Sequence, residues 1–194
     1  EPLYMSTLTS LVDYIKANLD MVTDSDGKII IHVESPTRVS LLSELDKDRK
    51  REKLVEVNAN LPRIRFNEFV DQEAFIIMIQ SMFEENEDRS IVLQVAGNVE
   101  DGTVANYKDD GITQKATIKT GLIVPNPVNL MPYRTFHEIG QPVCSFVFRM
   151  NNGHGVACAL FEADGGAWKN EAVFQVAKYL KAELEEYPQI IVLS

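Results

Sequence analysis

KIIIHVESPTRVSLLSELDKDRKREKLVEVNA, residues 28–59, decides the fold. It holds three runs of strand formers, predicted at Lys28–Glu34, Arg38–Leu45 and Glu52–Ala59. Ser35-Pro36-Thr37 separates the first two, and the charged turn Asp46–Arg51 separates the second and third. Gaps this short suit antiparallel neighbours, because parallel neighbours need a crossover of about a dozen residues or more. Helical patterns lie on both sides of this meander. The expected class is therefore α+β, with a mostly antiparallel sheet and about three helices: N-terminal, central and C-terminal.

Upstream, Leu8, Leu11, Val12, Ile15 and Leu19 form one stripe of a helix over Ser6–Asp20, with Ser6 or Thr7 as its cap. Downstream, Asp71–Phe83 is the central helix, with Asp71 as N-cap and so many apolar residues that it should be buried on most sides. The polar cluster Glu84–Asp88 ends it. Ser90–Val99 fits either a strand built on Ile91-Val92-Leu93 or a resumed helix. Thr103–Tyr107 and Ile112–Lys119 suit strands between turn signals. Three prolines make Val124–Pro132 an extended connector, where a single domain over residues 1–194 could be subdivided. Arg134–Ile139 and Val143–Met150 read as strands, the second joined to Val156–Glu162 by the loop Asn151-Asn152-Gly153-His154-Gly155. A helix over Ala167–Glu186 follows, and then a last strand, Gln189–Leu193.

Composition narrows the partners. The 194 residues are 45% hydrophobic and 25% charged, enough for a packed core without staples, and the net charge is −10. Such a surplus of acid disfavours, without excluding, nucleic acid as a partner, and it disfavours anionic membrane surfaces. No apolar run approaches the ~20 residues of a membrane span, and no signal peptide opens the chain. Two cysteines, Cys144 and Cys158, sit in apolar runs and read as reduced, buried thiols, although one bridge within their shared hairpin stays open.

Reaction chemistry has little to work with. His32, His137 and His154 are the only histidines, and none has a second ligand at helical spacing. No nucleophile elbow, P-loop or dinucleotide fingerprint is present, and neither cysteine has a basic neighbour in sequence to lower its pKa. Asp24-Ser25-Asp26-Gly27 fails the EF-hand template, because the first and last ligand places would be Val22 and Val33. The acid pairs Asp109-Asp110 and Glu162 with Asp164 read as surface carboxylates. No catalytic residue, metal or cofactor is expected.

Two contact sites are expected instead. Lys47, Arg49, Lys50, Arg51 and Lys53 gather five of the nineteen Lys and Arg residues at one hairpin tip, diluted by Asp46, Asp48 and Glu52. The tip could meet nucleic acid, with help from an aromatic such as Tyr107 or Tyr133, or an acidic protein face such as Glu84–Asp88 of a second copy. Arg134 and the Gly165-Gly166 turn before the last helix could hold an anion, unless Asp164 caps the helix itself.

Five segments resemble a family of uncharacterised proteins encoded by tailed phages and prophages of Gram-positive bacteria. They are LTSLVDYIKANLD (residues 8–20), HVESPTRVSLLSELD (32–46), DDGITQKATIKTG (109–121), VPNPVNLMPYRTF (124–136) and ALFEADGGAW (159–168). The resemblance implies a phage or prophage origin, a host-cytoplasm setting with the virion left open, and further residues before Glu1. It brings no activity, cofactor or site residue. The expected function is a non-enzymatic accessory protein working as a homo-oligomer. Nucleic-acid handling in phage replication or recombination is one alternative. Sequestration of a host small molecule, or inhibition of a host defence protein, is another.

Overall fold

The computed structural model describes residues 1–24, 26–98, 108–109, 114–115, 124–151 and 154–194. In chain order its elements are β1 (Leu3–Met5), α1 (Leu8–Ala17), β2 (Ile29–Ser35), β3 (Arg38–Leu42), β4 (Lys53–Asn58), β5 (Val70–Asp71), α2 (Gln72–Met82) and α3 (Glu87–Gly97). Then come β6 (Lys108–Asp109), β7 (Gln114–Lys115), β8 (Val128–Leu130), β9 (Cys144–Asn151), β10 (Ala157–Glu162), α4 (Ala167–Glu183) and β11 (Ile190–Leu193). The fold is α+β. The expected strands Thr103–Tyr107 and Ile112–Lys119 lie largely outside the described residues, as do Ser25, Tyr107 and Asp110.

The chain forms two compact units, one of Glu1–Leu61, Arg134–Gln141 and Lys169–Ser194, the other of Pro62–Tyr133 and Pro142–Trp168. In the first, five strands run in the order β1-β4-β3-β2-β11. The meander β2-β3-β4 is antiparallel as its short turns require, but β1 joins β4 and β11 joins β2 in parallel, so this sheet is mixed. Strand alternation sends Ile29, Ile31, Val33, Val39, Leu41, Val55 and Val57 into a core shared with Leu11 and Ile15 of α1 and Val176 and Leu180 of α4. Thr7 is the cap of α1, its Oγ1 accepting the Ser10 N–H at 3.0 Å, and Asn18 ends the helix in the left-handed region at φ 50°.

Arg134–Ile139, expected as a strand, is irregular. The buried Gln141 side chain replaces a neighbouring strand. Its Oε1 accepts the N–H groups of Arg134 (2.8 Å) and Thr135 (3.1 Å), and its Nε2 donates to the carbonyls of Thr135 (3.3 Å) and Phe136 (3.4 Å). Phe136 is thereby held in the core.

The second unit contains an antiparallel sheet in the order β5-β10-β9-β8. Phe75 and Ile79 of α2 and Val92 and Val95 of α3 share a core with Phe146, Phe148, Cys158 and Leu160 of that sheet. Phe66 stacks on Phe146 at 5.0 Å between ring centroids. β8 gives the proline segment a strand the sequence did not suggest, after a cis Asn126–Pro127 bond. β6 and β7 pair antiparallel with each other.

Among the described residues four α-helices form rather than about three. The polar cluster that ends α2 also starts α3, because Asn86 Oδ1 accepts the Arg89 N–H at 2.8 Å and Glu87 and Asp88 fill the first turn. For Ser90–Val99 the helical alternative is the correct one as far as Gly97, and Val99 lies outside the described residues. α2 is less buried than expected, since Ile77 is 54% exposed and only one face meets the core. Neither Cys144 nor Cys158 forms a disulfide, and both are buried. Cys144 lies opposite Leu130 and Cys158 opposite Met150, six residues apart along β9, or roughly 20 Å at ~3.3 Å per residue, too far for a bridge.

Candidate functional site

In the first unit, the sheet face away from the helices carries a connected polar cluster. Register places Tyr4, Glu56, Ser40, His32 and Leu193 opposite one another across all five strands. Ser40 is fully buried beneath longer neighbours and donates its hydroxyl proton to Glu34. Lys53 Nζ lies 2.8 Å from Glu56 and 3.7 Å from Glu34. Arg38 reaches Glu34 at 4.0 Å and donates from Nε to Asn58 Oδ1 at 3.2 Å, and Asn58 Nδ2 donates to Glu56 at 2.9 Å. Two cations thus face two carboxylates.

This balance limits the chemistry. The Lys53 ammonium is held above the usual lysine range, chiefly by its bond to Glu56, and so is no base at neutral pH. Glu56 is correspondingly held below the usual carboxylate range, first by Lys53 and then by Asn58. The Ser40 hydroxyl is engaged as a hydrogen-bond donor to Glu34, a carboxylate already bound in the network. What remains is a charge-compensated surface bordered by exposed Tyr4 (66%), Leu193 (47%) and Ile191 (36%).

The basic tip between β3 and β4 divides in two. Asp46 Oδ1 accepts the N–H groups of Asp48 and Lys50, and Arg49 takes φ 60° to close the turn. Lys47, Arg49 and Lys50 are exposed, whereas Arg51 turns back to donate to the Ser43 carbonyl and Lys53 belongs to the sheet-face network. The structure brings three of the five expected cations together, not five.

Of the two expected anion positions, Arg134 lies in the irregular segment of the first unit, where its N–H bonds to Gln141, and Gly165-Gly166 lie in the second unit. Gly165 and Gly166 take φ 63° and 82°, and Asp164 Oδ1 accepts the Gly166 N–H at 2.9 Å, so a carboxylate already stands at this turn. Glu162 bonds to Asn67 through its backbone N–H and its Oε2.

No family model, curated protein or solved structure matches the chain. All three imidazoles are exposed and both thiols are buried. Burial pushes the Cys158 thiol up to about 12, so it is neither a nucleophile nor a ready metal ligand. Among the described residues no group of three or more His, Cys, Asp or Glu could hold a metal, and no helix is long and apolar enough to cross a membrane.

Periodicity gave no sign of Glu138. Its side chain is 6% exposed, and its Oε1 accepts the backbone N–H (2.8 Å) and hydroxyl (3.1 Å) of Thr9 in the first turn of α1. Its other oxygen lies 3.5 Å from His137 Nδ1, whose ring is 74% exposed. The carboxylate docks the Arg134–Gln141 segment on the helix start, a structural task.

Proposed function

We propose that this protein is a non-enzymatic accessory protein of a tailed phage or prophage, acting in the host cytoplasm through protein contacts and as a homo-oligomer. The observation that carries the contact reading is the five-stranded sheet's outer face, with compensated charges at its centre and exposed Tyr4, Ile191 and Leu193 at its margins. Apolar side chains beside a neutral network suit a protein surface better than a polyanion. The five-segment resemblance supports the phage setting. Light scattering coupled to size-exclusion chromatography across a hundredfold dilution tests the oligomer. A mass that rises above the 21.9 kDa chain with concentration supports the reading, and 21.9 kDa throughout rejects it.

Nucleic-acid handling is the second reading, favoured by exposed Lys47, Arg49 and Lys50. Three phosphate contacts on duplex DNA give an affinity falling with log salt at a slope of about −2.7. Charge reversal at the three positions should abolish binding. No detectable binding at low salt rejects this reading.

A further inference from the structure

The geometry points to β11 as the seam of self-association, with two copies pairing this strand antiparallel about a two-fold axis at Val192. This deepens, and rests on, the homo-oligomer reading. The two sheets treat their edges differently. β8, an edge of the four-stranded sheet, is closed by side chains from the start of α3: Asp88 Oδ2 accepts the Asn129 N–H at 2.7 Å and Asn86 Nδ2 donates to the Asn129 carbonyl at 2.8 Å. At the opposite edge β5 is two residues long and runs straight into α2. β11 has neither device. It reads Ile-Ile-Val-Leu, with no charge and no proline to discourage pairing.

Register decides which groups this edge offers. Ile29 donates to the Gln189 carbonyl at 3.0 Å, and the parallel register sets Ile190 beside Ile29. Odd-numbered residues of β11 therefore bond inward to β2, and Val192 turns both its N–H and its carbonyl outward. An antiparallel copy centred on Val192 makes a hydrogen-bonded pair with the partner's Val192, two N–H···O bonds in one step. Ser194 can then donate to the carbonyl of the partner's Ile190, and the reverse. On the outer face the same register sets Ile191 against the partner's Leu193 as a close, non-hydrogen-bonded pair. Each exposed apolar side chain thus finds a counterpart.

The other side of the strand fits as well. A groove of about 290 Å³ runs between the end of α4 and β11, with Leu184, Tyr187 and Val192 in its lining and the exposed Lys181 and Glu185 beside them. A two-fold interface is self-complementary: residue i meets the partner's j, and j meets the partner's i. Lys181, in the last turn of α4, and Glu185, in the turn that follows it, satisfy that rule, because Lys181 of each copy can face Glu185 of the other. The remaining edge of this sheet, β1, is only three residues long and follows Pro2, which has no N–H.

Two variants test the seam in sedimentation equilibrium of the whole chain. Val192→Pro removes the outward N–H without removing a bond to β2, a position where an edge strand tolerates proline. Ile191→Lys with Leu193→Lys alters only exposed side chains and sets like charges across the axis. Both should raise the dimer dissociation constant at least tenfold while leaving far-UV circular dichroism unchanged, and the lysine pair decides if the proline variant misfolds. Wild-type dimers that both variants preserve overturn the seam and leave the homo-oligomer reading standing. A wild-type monomer at every concentration overturns both.

Discussion

Replacing Gln141 by leucine removes one side chain that serves four backbone groups of the first unit. Leucine is close in size, so packing around the 6%-exposed site changes little and the loss is mainly polar. The N–H groups of Arg134 and Thr135, bonded to Oε1 at 2.8 and 3.1 Å, lose their acceptor. The carbonyls of Thr135 and Phe136, reached by Nε2 at 3.3 and 3.4 Å, lose weaker bonds and retain a second lone pair each. A buried group left unsatisfied costs about 1–3 kcal/mol, and local relaxation recovers part of it. A destabilisation of about 2–4 kcal/mol follows. With m near 2 kcal/mol/M for urea, the unfolding midpoint should fall by about 1–2 M at unchanged m. Gln141→Glu keeps the acceptor but turns a second anionic oxygen toward two carbonyls, and should be at least as damaging at neutral pH. A leucine variant within ~0.5 kcal/mol of wild type would refute the reasoning, since that is the range of substitutions away from such networks.

Three further outcomes are expected. Cys158, raised to about 12 from an ordinary 9.0, carries about a thousandth of the usual thiolate, so iodoacetamide at pH 8 should label neither buried cysteine in the native protein and both in denaturant. Arg89, whose side chain is 12% exposed, donates to the Ile79 and Gln80 carbonyls near the end of α2, so Arg89→Leu should lose about 1–3 kcal/mol in urea melts, with little rescue by lysine, which lacks the guanidinium fork. Tyr14 is raised to about 12, first by burial and then by its bond to Asp20 at 2.6 Å. Its un-ionised phenol is favoured by the fold, so its contribution is complete below pH 10 and is lost as pH rises toward 12, with ionisation read from absorbance near 295 nm.

What the sequence discloses is what neighbouring residues decide between themselves. The meander β2-β3-β4 needs only period-two alternation and two short turns, and both are written in residues 28–59. The caps Thr7 and Asp71 stand directly before apolar stripes. Each element misread or missed depends on a distant partner or on a residue with two jobs. β1 is three residues long and exists by pairing with β4, Leu3 lying opposite Val55. Arg134–Ile139 has a strand's composition, yet Gln141 supplies its bonds from a side chain. The cluster Glu84–Asp88 looks like an ending because composition does not say which way a polar run faces, whereas Asn86 faces forward.

The same distinction governs the candidate sites. Five cations in seven positions look like one patch, because sequence counts charge and ignores direction. In the folded hairpin Lys53 is a residue of β4 whose side chain joins Glu34 and Glu56, and Arg51 is spent on the Ser43 carbonyl. The three cations left at the tip have Asp46 and Asp48 among them, so the local field is weak on a chain of net charge −10. An apolar edge behaves in the opposite way. Ile190–Leu193 is an unremarkable last strand in the sequence, and it becomes a surface only once β2 takes the odd-numbered backbone groups and leaves Val192 facing out. The outward backbone groups of Val192, which pair with no strand among the described residues, stand beside exposed Ile191 and Leu193, and the proposed self-association is placed there rather than at the tip.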